Sequence, residues 1–369
     1  KYWNNLQMQL INPQITMDEF ADFIILFSML INSDKEDAAN YNFINNCSLL
    51  TPKDIDKYVQ DKFNNISNKT EMDYLRNKVY YEISSYYDNL SDILKRFYNL
   101  TLPTGLGKTI LGLLISTKMC EDFHLEKIIY SVQLTGVVDQ SYNVYEDILK
   151  KSGKYNDYAI CKHHHLSEIK GIDENSDDED VVSNLFRIEG WDANFVCTTL
   201  YQVLNTFFGT KNGVLRKLVN LRNSVIIIDE SQGINPKYIT FLNEFITILA
   251  EKLNIYFVNM TATKTYFLEG VELAGEKYFK LDFLKRTKLK INKKPISLVE
   301  FINHIKVEPN ALVTVNEIHR CKIIYKALKK KYPNISIYCL TTEITPFVRN
   351  KILTIVKEKL KKGEQLILV

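Results

Sequence analysis

The chain has 369 residues, of which 46% are hydrophobic, so it can bury two or three apolar cores, and its formal net charge is +3. No apolar run approaches the roughly 18 residues that a membrane span needs, and no signal peptide opens the chain, so a cytoplasmic protein with no membrane partner is expected. The 6 cysteines include no C-x-x-C pair, which gives no support to a zinc site or a disulfide framework.

Residues 1–90 form a polar and aromatic segment with a helical pattern and one apolar stretch at 20–31. From residue 97 to about 281, apolar runs typical of buried strands alternate with helical patterns, at 97–100, 127–132, 194–198, 224–229 and 255–260. A second set of apolar runs begins near residue 309, at 311–315, 335–340 and 365–369. This alternation predicts an α/β protein with tandem parallel-sheet domains at 91–283 and 284–369, preceded by the helical segment.

A glycine-rich loop at 102–109 lies between the first apolar strand and an apolar helix predicted to begin near Ile110. Glycines let backbone amides approach phosphate oxygens, and the following helix points its positive end at them. Lys108 would contact the β and γ phosphates and Thr109 would offer its hydroxyl to Mg²⁺. The predicted nucleotide-binding residues are Pro103, Thr104, Gly105, Leu106, Gly107, Lys108 and Thr109. The alternative is a glycine turn with a chance lysine.

Two carboxylates follow the apolar strand at 224–229, about 120 residues after the glycine-rich loop. We assign Asp229 to Mg²⁺ and Glu230 to the attacking water, since carboxylates at the end of a central strand perform these tasks in nucleotide hydrolases. Taken alone, an Asp-Glu pair after a strand often only caps a helix. Its position after a phosphate-binding loop favours catalysis, with ATP and Mg²⁺ as cofactors.

The next strand ends in Thr261-Ala262-Thr263. The order of the glycine-rich loop, Asp-Glu-x-Gln and Thr-Ala-Thr resembles motifs I, II and III of superfamily 2 helicases. Gln232, the fourth residue of motif II, can hydrogen-bond but cannot become a cation as a histidine would. Hydroxyl residues at strand ends are also frequent turn formers, which is the alternative for the two threonines.

Nearly the whole chain resembles the CRISPR-associated helicase-nuclease of type I interference systems. The resemblance rests on the motifs above and on the segments 129–140, 162–168, 191–199, 223–230, 311–316 and 347–350. It implies two RecA-like domains, the second incomplete, after the remnant of an HD nuclease domain. It also implies 3′ to 5′ movement on single-stranded DNA, coupled to DNA degradation, with an RNA-guided, Cascade-like surveillance complex as partner.

Nucleic-acid contacts follow from the same resemblance. The implied DNA-binding residues are Gln140, Thr198, Thr199, Thr261, Thr263, Asn316 and Arg349. From Val271 onward, basic residues outnumber acidic residues more than twofold, which suits a polyanion. Strand-end capping by the polar residues and solvated lysine-rich helix faces are the alternatives.

Asp34 resembles the aspartate that completes the metal site of the HD nuclease domain, which would hold a divalent transition metal. No His-Asp dipeptide occurs in the sequence, so the other ligands are expected upstream, and this chain should cut DNA poorly. The alternative for Asp34 is a surface aspartate with no metal-binding role. At the other end, residues 365–369 resemble the strand that leads into motif V, so ATP turnover should be slower than in a protein that includes motifs V and VI.

Two other functions remain open. One is a different superfamily 2 enzyme, such as an RNA helicase or a restriction-type translocase. The other is a non-hydrolysing ATP-binding scaffold. A scaffold would be expected to carry changes at Lys108, Asp229 or Glu230, and none is seen.

Overall fold

The computed structural model describes residues 15–39, 48–90, 95–156, 158–163, 186–209, 211–280, 288–307 and 310–369. The chain divides into two compact units, Lys1–Lys285 and Arg286–Val369, and each is described by itself. Across the described residues, no helix combines the length and the apolar character that a membrane span requires.

The first unit is a parallel sheet covered by helices on both faces. Its elements are α1 (Met17–Ala38), α2 (Pro52–Asn64), α3 (Glu71–Asp88), β1 (Phe97–Thr101), α4 (Lys108–Phe123), β2 (Lys127–Val132), α5 (Thr135–Lys151), β3 (Ile160–His163), β4 (Phe195–Thr199), α6 (Leu200–Phe208), α7 (Asn212–Val219), β5 (Ser224–Asp229), α8 (Pro236–Leu253), β6 (Ile255–Thr261) and β7 (Val271–Glu272). The described strands pair in the order β3-β4-β2-β5-β6-β1-β7, and the pairings are parallel. The predicted α/β fold is confirmed. The strands at the two edges, β3 and β7, were not predicted, because they are short and lack a long apolar run.

Burial on both faces explains the sequence of the central strands. The four residues Val225 to Ile228 of β5 are all buried, alternately on the two sides of the sheet. One apolar core lies between the sheet and α2 to α5, and the other involves α1, α6 and α8. Gly112 of α4 lies so close to β6 that an added Cβ would be 2.2 Å from the Met260 Sδ. The glycine therefore lets α4 pack directly on the centre of the sheet.

The N-terminal helices belong to the first unit. Helix α1 is anchored by Ser28, whose hydroxyl donates to the Leu215 carbonyl at 2.5 Å and accepts from the Val219 amide at 3.0 Å. On the next turn, the Asn32 Oδ1 accepts from the Arg216 Nε at 3.0 Å. The compact unit thus includes helices that the sequence assigned to a separate segment, because their apolar faces are buried against the sheet domain.

The second unit contains a smaller parallel sheet. Its elements are α9 (Leu298–His304), β8 (Ala311–Leu312), α10 (Ile318–Lys331), β9 (Ser336–Tyr338), α11 (Pro346–Lys361) and β10 (Leu366–Leu368). Its described strands pair in the order β8-β10-β9, in parallel. Ile324, Leu328 and Ile367 lie in its apolar core. Exposed lysines cover the outer faces of α10 and α11.

Candidate active site

The sheet of the first unit brings the predicted motifs to one edge. Because the strands are parallel and β1, β6 and β5 are neighbours, their carboxyl ends lie side by side. Thr101 of β1 is in register with Thr261 of β6, and Asp229 of β5 is in register with Met260. The glycine-rich loop, the two carboxylates and the Thr-Ala-Thr segment therefore meet, as the fold rule for ligand sites in parallel sheets requires.

The glycine-rich loop has the backbone conformation that its sequence predicts. Gly105 and Gly107 have φ values of 90° and 86°, in the left-handed region that favours glycine. Gly107 is the N-cap of α4, so the helix begins at Lys108 and not near Ile110 as predicted. The earlier start follows from the glycine, whose left-handed turn aligns the next residues directly into the helix. The Ile110 amide donates to the Gly107 carbonyl at 3.2 Å, whereas the amides of Lys108 and Thr109 precede the first hydrogen bonds of the helix and can bind an anion.

A cationic and two anionic side chains converge behind this loop. The Lys108 Nζ lies 3.7 Å from the Glu230 Oε1, an ion-pair distance that is too long for a hydrogen bond. Lys108 is 9% exposed and Asp229 is 7% exposed. The Lys108 Nζ and the Asp229 Oδ1 are buried without a hydrogen-bond partner among the described residues. Such orphaned charged atoms are costly unless a ligand satisfies them, so the cluster fits a phosphate group at Lys108 and a metal ion at Asp229.

The second oxygen of Asp229 has a protein partner. The Tyr130 hydroxyl donates to the Asp229 Oδ2 at 2.7 Å, inside the sheet. Burial raises the pKa of Asp229, and the Tyr130 hydroxyl and the Lys108 ammonium partly offset this effect. Burial also raises the pKa of the Tyr130 phenol well above its usual range, so that phenol remains a hydrogen donor.

Glu230 is held in a strained conformation next to Asp229. Its φ is 62°, a left-handed value that is uncommon for a glutamate. Its amide donates to the Met260 carbonyl at 2.9 Å, and its carbonyl accepts from the Gln133 Nε2 at 3.2 Å. These contacts offset the backbone strain, which is a feature of functional sites.

Gln232 joins the carboxylates to the Thr-Ala-Thr segment. Its amide nitrogen donates to Glu230, and its amide oxygen accepts from the Thr261 hydroxyl at 2.8 Å. The Thr261 oxygen also accepts from the Thr263 amide at 3.1 Å. Motif II and motif III thus form one hydrogen-bonded network. The neutral amide of Gln232 makes both of its contacts, so this network does not require a protonated histidine at position 232.

Two polar contacts at this site were missed by the sequence analysis. The Arg76 Nε of α3 donates to the Gly105 carbonyl at 2.7 Å, and its Nη1 pairs with Asp73 at 3.3 Å. Tyr130 is the other missed residue. A tyrosine within an apolar strand has the pattern of an ordinary core residue, and Arg76 lies 29 residues before the residue that it contacts. No local spacing signals either contact.

The residues predicted to bind DNA lie in different environments. Gln140 and Thr263 of the first unit are exposed, as is Asn316 of the second unit. Arg349 is half-buried, and its Nη2 donates to the Thr341 carbonyl at 3.2 Å. These four positions stay predictions for direct contact.

Three hydroxyls in the predicted DNA-binding set are used inside the protein. The Thr198 hydroxyl is buried and donates to the His163 carbonyl at 2.7 Å. Thr199 caps α6 by accepting from the Gln202 amide at 3.3 Å. Thr261 is buried in the motif II and III network. These side chains stabilise the strand ends, and their contact with DNA stays a prediction.

Asp34 lies exposed on α1. Within the described ranges, no three His, Cys, Asp or Glu side chains come together as a set of metal ligands. The described residues therefore show no partner ligand for the predicted HD metal site.

A family comparison matches the part of the chain that contains this site. The family model for the res subunit of type III restriction enzymes, ResIII, matches residues 49–265. The chain belongs to the ResIII family. This match covers β1 to β6 together with the glycine-rich loop and both carboxylates.

The chain is also similar in sequence to two individual proteins. The chain is 28% identical over 184 residues to the CRISPR-associated nuclease/helicase Cas3 of Haloferax volcanii, covering 47% of this chain and 20% of that protein. It is 25% identical over 274 residues to a protein of Methanocaldococcus jannaschii with the same nuclease/helicase description, covering 69% and 37%. The chain thus spans well under half of the length of both relatives.

A solved structure supports the fold. The T. fusca Cas3 structure with ATP matches 88% of this chain and 42% of that chain, with a TM-score of 0.58 and 13% sequence identity. The predicted resemblance to CRISPR-associated superfamily 2 helicases is confirmed by these matches, whereas the HD remnant is not shown.

Proposed function

We propose that this ResIII protein is an ATP-dependent translocase on single-stranded DNA, which moves 3′ to 5′ in CRISPR interference. The observation that carries the nucleotide part is the cluster of Lys108, Asp229 and Glu230, in which one lysine nitrogen and one carboxylate oxygen are buried without a hydrogen-bond partner in the described structure. The relatives named as CRISPR-associated nuclease/helicases support the biological setting.

The site residues divide the work of ATP hydrolysis. Lys108 and the amides of the glycine-rich loop bind the phosphates, and Thr109 and Asp229 hold the metal. When bound, Mg²⁺ supplies positive charge that stabilises the transferring phosphoryl group. Glu230 orients the attacking water and accepts its proton. Gln232 keeps the Glu230 carboxylate in place through its hydrogen bond.

Nucleotide binding is tested by Lys108→Ala. We expect the affinity for a fluorescent ATP analogue with Mg²⁺ to fall at least about tenfold, because a hydrogen bond to a charged group contributes roughly 1.5–3 kcal/mol. Calorimetry or fluorescence titration measures the change. Lys151→Ala is the matched control, since Lys151 is an exposed lysine whose partner is Asp147 on the same helix. Equal affinity of the Lys108→Ala variant and the wild type would remove the assignment.

DNA binding is proposed from the charge of the second unit. Lys326, Lys330 and Lys357 are exposed on α10 and α11, a pattern that suits contacts to phosphates. If about four phosphates are neutralised, the logarithm of the affinity for single-stranded DNA should fall with log salt at a slope near −3, using about 0.7 per phosphate.

The salt dependence is measured by fluorescence anisotropy with a labelled oligonucleotide. The Lys326→Gln and Lys330→Gln double variant should reduce the magnitude of the slope by about 1.4, at about 0.7 for each lysine. Lys57→Gln, at an exposed position of α2, is the control. A wild-type slope near zero contradicts the proposed phosphate contacts.

A second candidate is a translocase of the restriction type, which the description of the family model favours. The two candidates differ in the nucleic acid that stimulates ATP hydrolysis. Stimulation by single-stranded DNA supports the proposed function, and stimulation by duplex DNA alone supports the restriction type. Stimulation by RNA alone would support the RNA helicase that the sequence left open, and binding of ATP without hydrolysis would support the scaffold.

We propose further that the native protein acts with an RNA-guided surveillance complex and degrades DNA through an HD nuclease site. The support is the sequence resemblance and the nuclease/helicase description of the two relatives. Asp34 would contribute one ligand of the transition-metal site in the complete protein.

A further inference from the structure

Tyr130 stands out as a buried polar group that the proposed mechanism does not use. It lies in the middle of β2 and is fully buried, yet its hydroxyl donates to the Asp229 Oδ2 at 2.7 Å. The Asp229 Oδ2 accepts this hydrogen bond, while the Oδ1 of the same carboxylate has no hydrogen-bond partner among the described residues. The carboxylate thus has one oxygen fixed by the protein and one available to a ligand.

The geometry of the sheet makes this contact specific. Asp229 is in register with Val132 of β2, two residues beyond Tyr130, so the side chains of Tyr130 and Asp229 come from adjacent strands and lie on the same face of the sheet. The Tyr145 ring packs edge-on against Tyr130, with 5.3 Å between ring centroids. The Ser141 side chain interacts with the phenol oxygen from α5. These contacts restrict the rotation of Tyr130 and hold its hydroxyl on the carboxylate.

We propose that Tyr130 is a positioning residue that orients Asp229 for Mg²⁺ at the nucleotide site. The inference rests on the proposed function, because that function assigns Asp229 as a ligand of Mg²⁺ and Tyr130 acts through Asp229. A hydrogen-bond partner of a metal-ligating carboxylate fixes its orientation, and loss of such partners typically lowers metal affinity by about 10–100-fold.

Tyr130→Phe tests the proposal, because it removes only the hydroxyl. The binding of a fluorescent, non-hydrolysable ATP analogue is titrated with Mg²⁺, starting from EDTA. We expect the half-saturating Mg²⁺ concentration to rise about tenfold, the low end of the range for lost partners of metal ligands. The affinity measured in EDTA should stay within about twofold of the wild type, because Lys108 and the loop remain.

Tyr87→Phe is the matched control. Tyr87 is buried, and its hydroxyl donates at 3.0 Å to the Oδ2 of Asp122, an exposed aspartate of the same unit. We expect a wild-type Mg²⁺ requirement in this variant. An unchanged requirement in Tyr130→Phe would overturn the proposal, and so would an equal loss of affinity with EDTA and with Mg²⁺, which indicates a merely structural role.

A double-mutant cycle separates this inference from the proposed function. In an Asp229→Asn background, Tyr130→Phe should change the Mg²⁺ requirement less than about twofold, since coupled residues are not additive. If Tyr130→Phe does not fold, Ser141→Ala serves as the second variant, with an expected rise of about threefold, because the hydrogen bond is only weakened. No rise there would overturn the proposal. Absence of Mg²⁺-dependent binding in the wild type would instead contradict the nucleotide site itself.

Discussion

Replacement of Glu230 by glutamine is expected to lower the rate of ATP hydrolysis by about 10²–10⁴-fold, the usual contribution of a general base. Glutamine has nearly the same shape but cannot accept the proton of the attacking water. The change removes the ion pair between Glu230 and the Lys108 Nζ, but it leaves in the site both the lysine and the Asp229 Oδ1, to which we assign the phosphate and the metal. Binding of MgATP should therefore stay within about fivefold of the wild type, so that binding and hydrolysis separate.

The measurement is single-turnover hydrolysis of ATP with saturating single-stranded DNA. Glu244→Gln is the control, because Glu244 is an exposed glutamate on α8 of the same unit. It should hydrolyse ATP at the wild-type rate. If Glu230→Gln does so as well, another group activates the water, and the role assigned to Glu230 is wrong.

Replacement of Asp192 by asparagine is expected to lower the free energy of unfolding of the first unit by about 3–5 kcal/mol, as is usual when one partner of a buried ion pair is lost. Asp192 accepts from the Arg216 Nη2 at 3.0 Å and from the Asn220 Nδ2 at 2.9 Å. Arg216 is only 1% exposed, so the variant removes the charge of a carboxylate that is hydrogen-bonded to a buried guanidinium. The same arginine donates to Asn32, which links the ion pair to the packing of α1.

Urea unfolding followed by circular dichroism measures this loss. Asp139→Asn is the matched control, since Asp139 pairs with Lys162 at 2.7 Å with its side chain 48% exposed. Because this carboxylate is solvated, the pair is expected to contribute up to about 1 kcal/mol, so the control should change stability less than Asp192→Asn does. Equal effects of the two substitutions would mean that the Arg216 network does not hold the unit together.

The sequence alone determined the chemical core of the site, because its signals are local. A glycine-rich loop between an apolar strand and an apolar helix, followed directly by Lys108 and Thr109, is typical of phosphate binding. The apolar run that ends in Asp229 indicates a buried strand with a carboxylate at its carboxyl end. Parallel strands then place both motifs at one edge of the sheet, so their proximity follows from the fold class.

Only the tertiary structure decided which side chains support these motifs. Tyr130 reaches Asp229 because β2 is the neighbour of β5, and strand order cannot be read from a local pattern. Arg76 reaches the Gly105 carbonyl because α3 packs beside the glycine-rich loop, although the two residues are 29 positions apart in the sequence. Thr198 has the sequence of an exposed strand end, yet the pairing with β3 buries it.

The same distinction explains the N-terminal helices. Their sequence pattern indicates helices with apolar faces, but an apolar face does not specify its partner. Helix α1 is joined to the first unit by Ser28 and Asn32, whose partners are nearly 190 residues away on α7. Local periodicity determines that a helix forms. Contacts with residues that are distant in the sequence determine where that helix packs.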